Sequence, residues 1–232
     1  QYASDVATAG DVNGDGYSDI LVGQERYNSN IFAGYNEGRV FAYYGSSTGL
    51  SATANWTKIG PQQSLFATSI STAGDVNGDG YSDALIGAPQ TNGGQEGEGR
   101  VYVYNGSSTG LSASPNWIGE SNQLYAELGH GVSTAGDVNG DGYGDIVAGA
   151  FIYDNGQNDE GAVFGWFGSS TGLGANGSVA NADWTVESNE DTAYFGERVA
   201  LAGDVNGDGY SDVLVCSNLR TSNGTERDGK VS

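Results

Sequence analysis

One string, Asp-Val-Asn-Gly-Asp-Gly-Tyr, occurs four times in this 232-residue chain, and each copy is followed two residues later by another aspartate. The copies begin at residues 11, 75, 137 and 204, so the repeating unit is 62 to 67 residues long. Internal repeats at a nearly fixed step are typical of supersecondary units that stack side by side and bury a continuous core between them.

Each unit contains four short apolar or aromatic segments separated by turns. Small and branched residues precede the acidic string, and a three-residue apolar run follows it, at 20–22, 84–86, 146–148 and 213–215. A third segment is rich in aromatic and β-branched residues, at 39–44, 100–104 and 162–167, and ends in the turn Gly-Ser-Ser-Thr-Gly-Leu. A fourth carries Trp56, Trp117 or Trp184. These segments have strand composition and no helical periodicity.

A four-strand unit that recurs in this way predicts an all-β protein, a β-propeller of four-stranded antiparallel blades. The expected blades are 1–64, 65–127, 128–194 and 195–232 of a single propeller segment, the last blade incomplete. A β-sandwich also has many short strands, but it does not repeat one four-strand unit. We expect the chain to form part of a larger ring, with a closed four-bladed ring or an oligomeric ring as alternatives.

The acidic string has the donor pattern of a loop that wraps a hard cation. Oxygen-bearing side chains stand at positions one, three, five and nine, and two glycines let the backbone turn so that a tyrosine carbonyl points inward. Calcium, which takes six to eight oxygen ligands, is therefore predicted at four sites. The predicted ligands are Asp11, Asn13, Asp15, Tyr17 and Asp19; Asp75, Asn77, Asp79, Tyr81 and Asp83; Asp137, Asn139, Asp141, Tyr143 and Asp145; and Asp204, Asn206, Asp208, Tyr210 and Asp212.

Other metal-loop types fit less well. An EF-hand needs an acid at position twelve and flanking helices, as does a dockerin, but position twelve here is apolar and the flanks are strands. Magnesium prefers strict octahedral geometry with bound waters, and zinc would need more than one histidine and one cysteine. An Asx-rich turn without metal is the remaining alternative.

The net charge of −21 argues against nucleic-acid binding and against association with anionic membranes. No apolar run is long enough for direct membrane insertion. A single histidine and no visible nucleophile–base arrangement predict that the chain is not an enzyme. The one cysteine, Cys216, lies in an apolar run and is expected to be a small buried side chain.

Ligand recognition is expected at the end of the blades opposite the acidic loops. Antiparallel strands place the connections between strands two and three, and between strand four and the next blade, on that opposite face. These connections differ in length and sequence, as binding loops on a repeated scaffold do. The candidate ligand-binding residues are Arg26, Tyr27, Phe32, Tyr35, Tyr125, Tyr153, Tyr194 and Arg220. Asn-x-Ser/Thr sequons that could carry glycans begin at Asn55, Asn105, Asn176 and Asn223.

The Asp-x-Asn-x-Asp-Gly-x-x-Asp loop between two strands resembles the FG-GAP repeats of the integrin α-subunit β-propeller, and Phe195-Gly196 and Gly87-Ala88-Pro89 match the motifs that name the repeat. The chain is also similar to repeats of bacterial surface proteins and of glycosylphosphatidylinositol phospholipase D. The resemblance implies a seven-bladed ring, calcium in hairpin loops on one face, and an extracellular location.

The residues and the resemblance together predict a calcium-binding, integrin-like propeller that serves cell adhesion or ligand recognition outside the cell. The partner would be an extracellular protein or glycan. Two alternatives remain open: a carbohydrate-binding, lectin-like propeller, and an accessory propeller domain of a secreted hydrolase.

Overall fold

A computed structural model describes residues 3–30, 36–217 and 230–231. Within them, sixteen β-strands form four sheets, and the one helical element is a single 3-10 turn at Val179–Asn181. No helix in these ranges is long and apolar enough to cross a membrane. The all-β class predicted from the repeats is therefore confirmed.

Each sheet follows the order of the chain as an antiparallel meander. The first contains β1 Asp5–Gly10, β2 Asp19–Gln24, β3 Arg39–Tyr43 and β4 Trp56–Ile59; the second contains β5 Ile70–Gly74, β6 Asp83–Ala88, β7 Arg100–Tyr104 and β8 Trp117–Glu120. The third contains β9 Gly131–Gly136, β10 Asp145–Ala150, β11 Ala162–Trp166 and β13 Trp184–Glu187; the fourth contains β14 Arg198–Gly203, β15 Asp212–Ser217 and β16 Lys230–Val231.

Two details differ from the sequence-based expectation. A two-residue strand, β12 Gly177–Ser178, pairs in parallel with β8 at the outer edge of the second sheet. In addition, the third strands of blades one and three end one residue early. The next backbone N–H in each case donates to a side chain instead of the ladder: Tyr44 to Asn55 Oδ1 at 2.9 Å and Phe167 to Asp183 Oδ2 at 2.7 Å.

The first strands of the four sheets contact one another in succession, β1 with β5, β5 with β9, and β9 with β14. They therefore line a common axis, and the tryptophan-bearing fourth strands lie at the outer rim. The four sheets are propeller blades, and within the described residues they do not close into a ring.

Burial depends on how many neighbours a blade has. Every residue of β6 and β10 is buried, because each of these strands is covered by a blade on both sides. In β15, Val215 packs toward the third blade while Leu214 and Cys216 on the other side are exposed. The expectation that Cys216 is buried is wrong, since that face of its sheet has no described neighbour.

Candidate metal-binding loops and the opposite cleft

A left-handed glycine leads into each acidic loop, and the register between strands one and two shifts at the same place in every blade. The glycine φ angles are 75° at Gly10, 77° at Gly74, 73° at Gly136 and 73° at Gly203. Glycine adopts this conformation without a steric penalty, so the strand can bulge and direct the following aspartate into the loop.

The first aspartate organises the loop from the inside. In the first loop, Asp11 Oδ1 accepts hydrogen bonds from the backbone N–H of Gly14 at 2.7 Å and of Asp15 at 3.1 Å, and its Oδ2 accepts from Gly16 at 2.8 Å. The third side chain, Asn13, accepts from the Asp15 N–H and donates to the Asp15 carboxylate at 3.0 Å. The same bonds recur in the other three loops at nearly the same lengths.

The aspartate at position nine of each loop is here called the closing aspartate, and in the first three blades it connects the acidic loop to the turn between strands three and four. Asp83 Oδ2 accepts from Val76 N–H at 3.0 Å, and Oδ1 accepts from Gly106 N–H at 2.9 Å. Asp19 and Asp145 make the equivalent pairs of bonds in their blades. The acidic loops and the Gly-Ser-Ser-Thr-Gly-Leu turns therefore lie on one face of the array.

The closing aspartates of the first three blades are electrostatically unfavourable as bare anions. Burial raises the pKa of Asp83 to about 7 and that of Asp145 to about 6, and it also raises the pKa of Asp19. The neighbouring loop carboxylates, Asp79 and Asp75 in the second blade, raise it further, while backbone hydrogen bonds oppose the shift. A bound cation would remove this penalty.

The donor set fits a hard cation in kind. Each loop offers three carboxylates, one amide oxygen and one backbone carbonyl, all of them oxygen ligands suited to calcium. Among the described residues, no three His, Cys, Asp or Glu side chains converge closely enough to hold a metal by themselves. Coordination would need the amide of Asn13 and its counterparts, which now donates to an aspartate, to rotate and present its oxygen. The twenty ligands stay a prediction.

Each of the first three acidic loops is also joined to the loop of the next blade. The carbonyl of Asp11 accepts from Ser82 N–H at 2.9 Å, and the Tyr81 ring lies over Gly14. The second and third loops are joined in the same way, with the Tyr143 ring over Gly78 and the Tyr210 ring over Gly140. Sequence reasoning assigned these tyrosines only a carbonyl role. Their rings connect neighbouring loops, so ordering one loop should stiffen the next.

On the opposite face, three of the candidate ligand-binding aromatic residues serve packing. Arg39 stacks on Tyr27, with its Cζ 3.8 Å from the ring centroid. Tyr153 packs edge-on against Phe164, and Tyr194 lies 6.1 Å from Phe151 between ring centroids. These side chains are partly buried and contribute to the blade tops.

Two other candidates are open to solvent. Arg26 is exposed and pairs with Glu25 at 3.1 Å, and Tyr125 is 50% exposed. The remaining candidates, Phe32, Tyr35 and Arg220, lie outside the described residues.

A cleft of about 410 Å³ lies beside Tyr125, where loops of the first two blades meet. Glu127 lines the cleft, and burial raises the pKa of its carboxyl group. Its other lining side chains include four carboxamides that sequence reasoning missed. They are Asn36, Gln63, Gln90 and Asn92. The sequence feature that could have predicted this cleft is the clustering of Asn and Gln in connections that lie on one face.

A repeated buried glutamate was also missed. Glu37, Glu98 and Glu160 each precede a glycine, are nearly or fully buried, and accept hydrogen bonds from backbone N–H groups of their own loops. The recurring Glu-Gly dipeptide before the third strand was the available signal. These residues shape the connections between strands two and three.

Comparison with known proteins agrees with this architecture. The FG-GAP repeat model matches residues 2–43, 66–104 and 195–232, just over half of the chain. The third blade lies outside the matched ranges, yet it has the same strand order and the same loop bonds as the others.

Three relatives illustrate the similarity. Integrin alpha-PS2 of Drosophila melanogaster is 35% identical over 62% of this chain and 11% of its own length, and integrin alpha-4 of Xenopus laevis is 35% identical over 66% and 15%. The phosphatidylinositol-glycan-specific phospholipase D of Bos taurus is 35% identical over 82% of this chain and 23% of its own length. The chain thus spans less than a quarter of these relatives, and it belongs to the FG-GAP repeat family.

Proposed function

We propose that this protein is a calcium-stabilised, integrin-like propeller that recognises a ligand outside the cell. The observation that carries the proposal is the hydrogen-bonded arrangement that recurs in all four acidic loops, each of which gathers three carboxylates, with the closing aspartate buried in the first three blades. Such a repeated arrangement is costly unless a positive charge occupies it.

Recognition is assigned to the opposite face. Its connections vary while the blades repeat, and they leave Arg26 and Tyr125 exposed. The integrin α subunits among the relatives support a role in cell adhesion with an extracellular protein or glycan as partner. Extracellular calcium-binding modules have dissociation constants for calcium of about 0.1–1 mM, a range that suits extracellular rather than cytosolic calcium.

We also propose that further blades complete the ring, seven in all as the family resemblance implies. Val205 of the fourth acidic loop is 72% exposed, whereas the equivalent Val12 and Val76 are buried under the turn of the following blade. A neighbouring blade would cover Val205 in the same way.

A thermal scan with and without chelator tests the calcium assignment. At a tenfold excess of calcium over the dissociation constant, each site stabilises the folded state by about 1.4 kcal/mol. For four sites, EDTA should lower the Tm by on the order of 10 °C, and calcium but not magnesium should restore it. An unchanged Tm in EDTA would contradict the proposal.

A role as an accessory propeller of a secreted hydrolase is the second candidate. It is favoured by the bovine phospholipase D match, which covers more of this chain than the two integrin matches do. We propose that the chain itself is not catalytic, so that any active site would lie in another part of the protein. Release of product from a phosphatidylinositol-glycan substrate by this chain alone would contradict that assignment.

A further inference from the structure

We propose that the cleft beside Tyr125 binds neutral sugar residues. This inference rests on the proposed recognition role of the variable face and names the class of ligand. It does not depend on the calcium assignment, which concerns the other face of the blades.

The polar lining of the cleft matches the chemistry of vicinal hydroxyl groups. Asn36, Gln63, Gln90 and Asn92 are all exposed, and each carboxamide offers donors and an acceptor side by side. The side-chain amides of Asn36 and Gln63 make no hydrogen bond with any described residue. A pair of neighbouring sugar hydroxyls, which both donate and accept, would satisfy them.

Tyr125 supplies an apolar surface at the edge of the cleft. A Cβ built on Gly97 would lie 2.9 Å from the Tyr125 ring, so the ring rests against a residue that has no side chain. The backbone N–H of Tyr125 donates to the Glu96 carbonyl at 2.8 Å and fixes the base of the side chain. Half of the residue stays exposed, which suits stacking against the C–H face of a pyranose ring.

The cleft is open because the connections beside it lack a pair of hydrogen bonds that joins the corresponding connections of blades two and three. This pair of hydrogen bonds is called the lock. Between blades two and three, the Gln123 side chain donates to the Asp154 carbonyl at 2.8 Å and accepts from the Asp154 N–H at 2.7 Å. The equivalent of Asp154 is Asn92, since each accepts a bond from the N–H five residues later. Pro61 stands five residues before Phe66, as Gln123 stands five before Leu128, and proline cannot form the lock.

A cationic peptide is the competing ligand, because Glu96 and Glu127 also line the cleft. An ammonium or guanidinium group only donates hydrogen bonds, so it would leave the amide donors of Asn36, Gln63 and Asn92 unmatched. One of the carboxylates, Glu127, is already engaged by Gln90 Nε2 at 3.4 Å. The balance of donors and acceptors therefore favours a neutral polyhydroxylated ligand.

The experiment titrates the intact chain, in calcium, with chitotetraose, cellotetraose, mannotetraose and galactotetraose, and with tetralysine as the cationic probe. Isothermal titration calorimetry at ligand concentrations up to about 5 mM covers the weak affinities of single sugar subsites. The test variant is Tyr125→Asn, because asparagine tolerates the φ of 59° at this position while the ring is removed. The matched control is Leu124→Asn, at an adjacent exposed residue outside the cleft.

We expect at least one tetrasaccharide to bind, binding to weaken at least about tenfold in Tyr125→Asn, and Leu124→Asn to leave it unchanged. Absence of binding by all four tetrasaccharides, binding of tetralysine alone, or sugar binding that survives Tyr125→Asn would each overturn the inference. The EDTA scan tests the calcium proposal separately. Failure of the calcium proposal can therefore be distinguished from failure of the sugar-binding proposal.

Discussion

The two faces of the blade array differ in how they use hydrogen bonds. On the acidic-loop face, the same residues make the same bonds four times, and each loop is joined to the next. On the opposite face, one connection is locked by Gln123 while its neighbour leaves a cleft open. A face that repeats every contact serves the scaffold, and a face that varies them is free to acquire specificity.

Among the substitutions that test this comparison, Asp83→Asn should lower the free energy of unfolding the most. Asparagine retains the size of the side chain, but its NH₂ group would face one of the two backbone N–H groups that now donate to the carboxylate. With the added loss of an anionic calcium ligand, we expect a cost of about 2–4 kcal/mol in calcium. Urea denaturation measures it.

Asp212→Asn is the matched control in the last blade. Asp212 is less buried and accepts one bond, from Val205 N–H, within the described part of the chain. Its substitution should cost about 1–2 kcal/mol. Equal costs for the two variants would show that burial and the second bond add nothing, and that the loops act as independent units.

The next effect tests the coupling between neighbouring loops. Gly14 has a φ of 70°, and a Cβ there would lie 2.5 Å from the Tyr81 ring of the following blade. Gly207 occupies the same loop position with a φ of 77° and nothing within 4 Å. Alanine at either position meets the left-handed penalty of about 1–2 kcal/mol, but only Gly14→Ala must also displace a ring, adding about 1–2 kcal/mol.

Thermal scans of Gly14→Ala and Gly207→Ala in calcium report this difference directly. A Gly207→Ala variant as unstable as Gly14→Ala would mean that the ring contact carries no energy, and the repeated face would then be four separate sites rather than one connected layer.

A pH titration of the Tm tests the electrostatic cost of the buried aspartate on the acidic-loop face. In metal-free protein, the pKa of Asp83 is raised to about 7, chiefly by burial and further by Asp79 and Asp75. The folded state therefore binds this proton more tightly than the unfolded state, so its stabilisation is complete below about pH 4 and is lost as the pH rises through 7. We expect the metal-free Tm to fall between pH 4.5 and 7.5.

The general repulsion among the many acids acts in the same direction, so Asp83→Asn is the control for the pH titration. The variant should show a shallower fall in Tm than the parent chain. Parallel curves for the two proteins would remove Asp83 as the source of the pH dependence.

The blades and the acidic loops could be predicted from the sequence because both are local and repeated. The Asp-Val-Asn-Gly-Asp-Gly-Tyr string encodes its own hydrogen bonds, most of which span five residues or fewer. The cleft could not be predicted, since it depends on which connections meet in space and on the absence of a side chain that bonds the Asn92 main chain as Gln123 bonds that of Asp154. Exposure of Cys216 was also missed, because the apolar run around it does not reveal which side of the sheet is covered.

The smallest effect concerns the lock on the variable face. Gln123→Ala removes two hydrogen bonds to the Asp154 main chain, which are partly exposed, so the cost should be about 1 kcal/mol. Gln63→Ala, which loses no bond to a described residue, should leave the Tm unchanged. If Gln123→Ala were as destabilising as Asp83→Asn, the variable face would contribute as much to the stability of the blades as the acidic loops do. A small cost instead means that connections on this face can open or close a cleft while the blades beneath them stay folded.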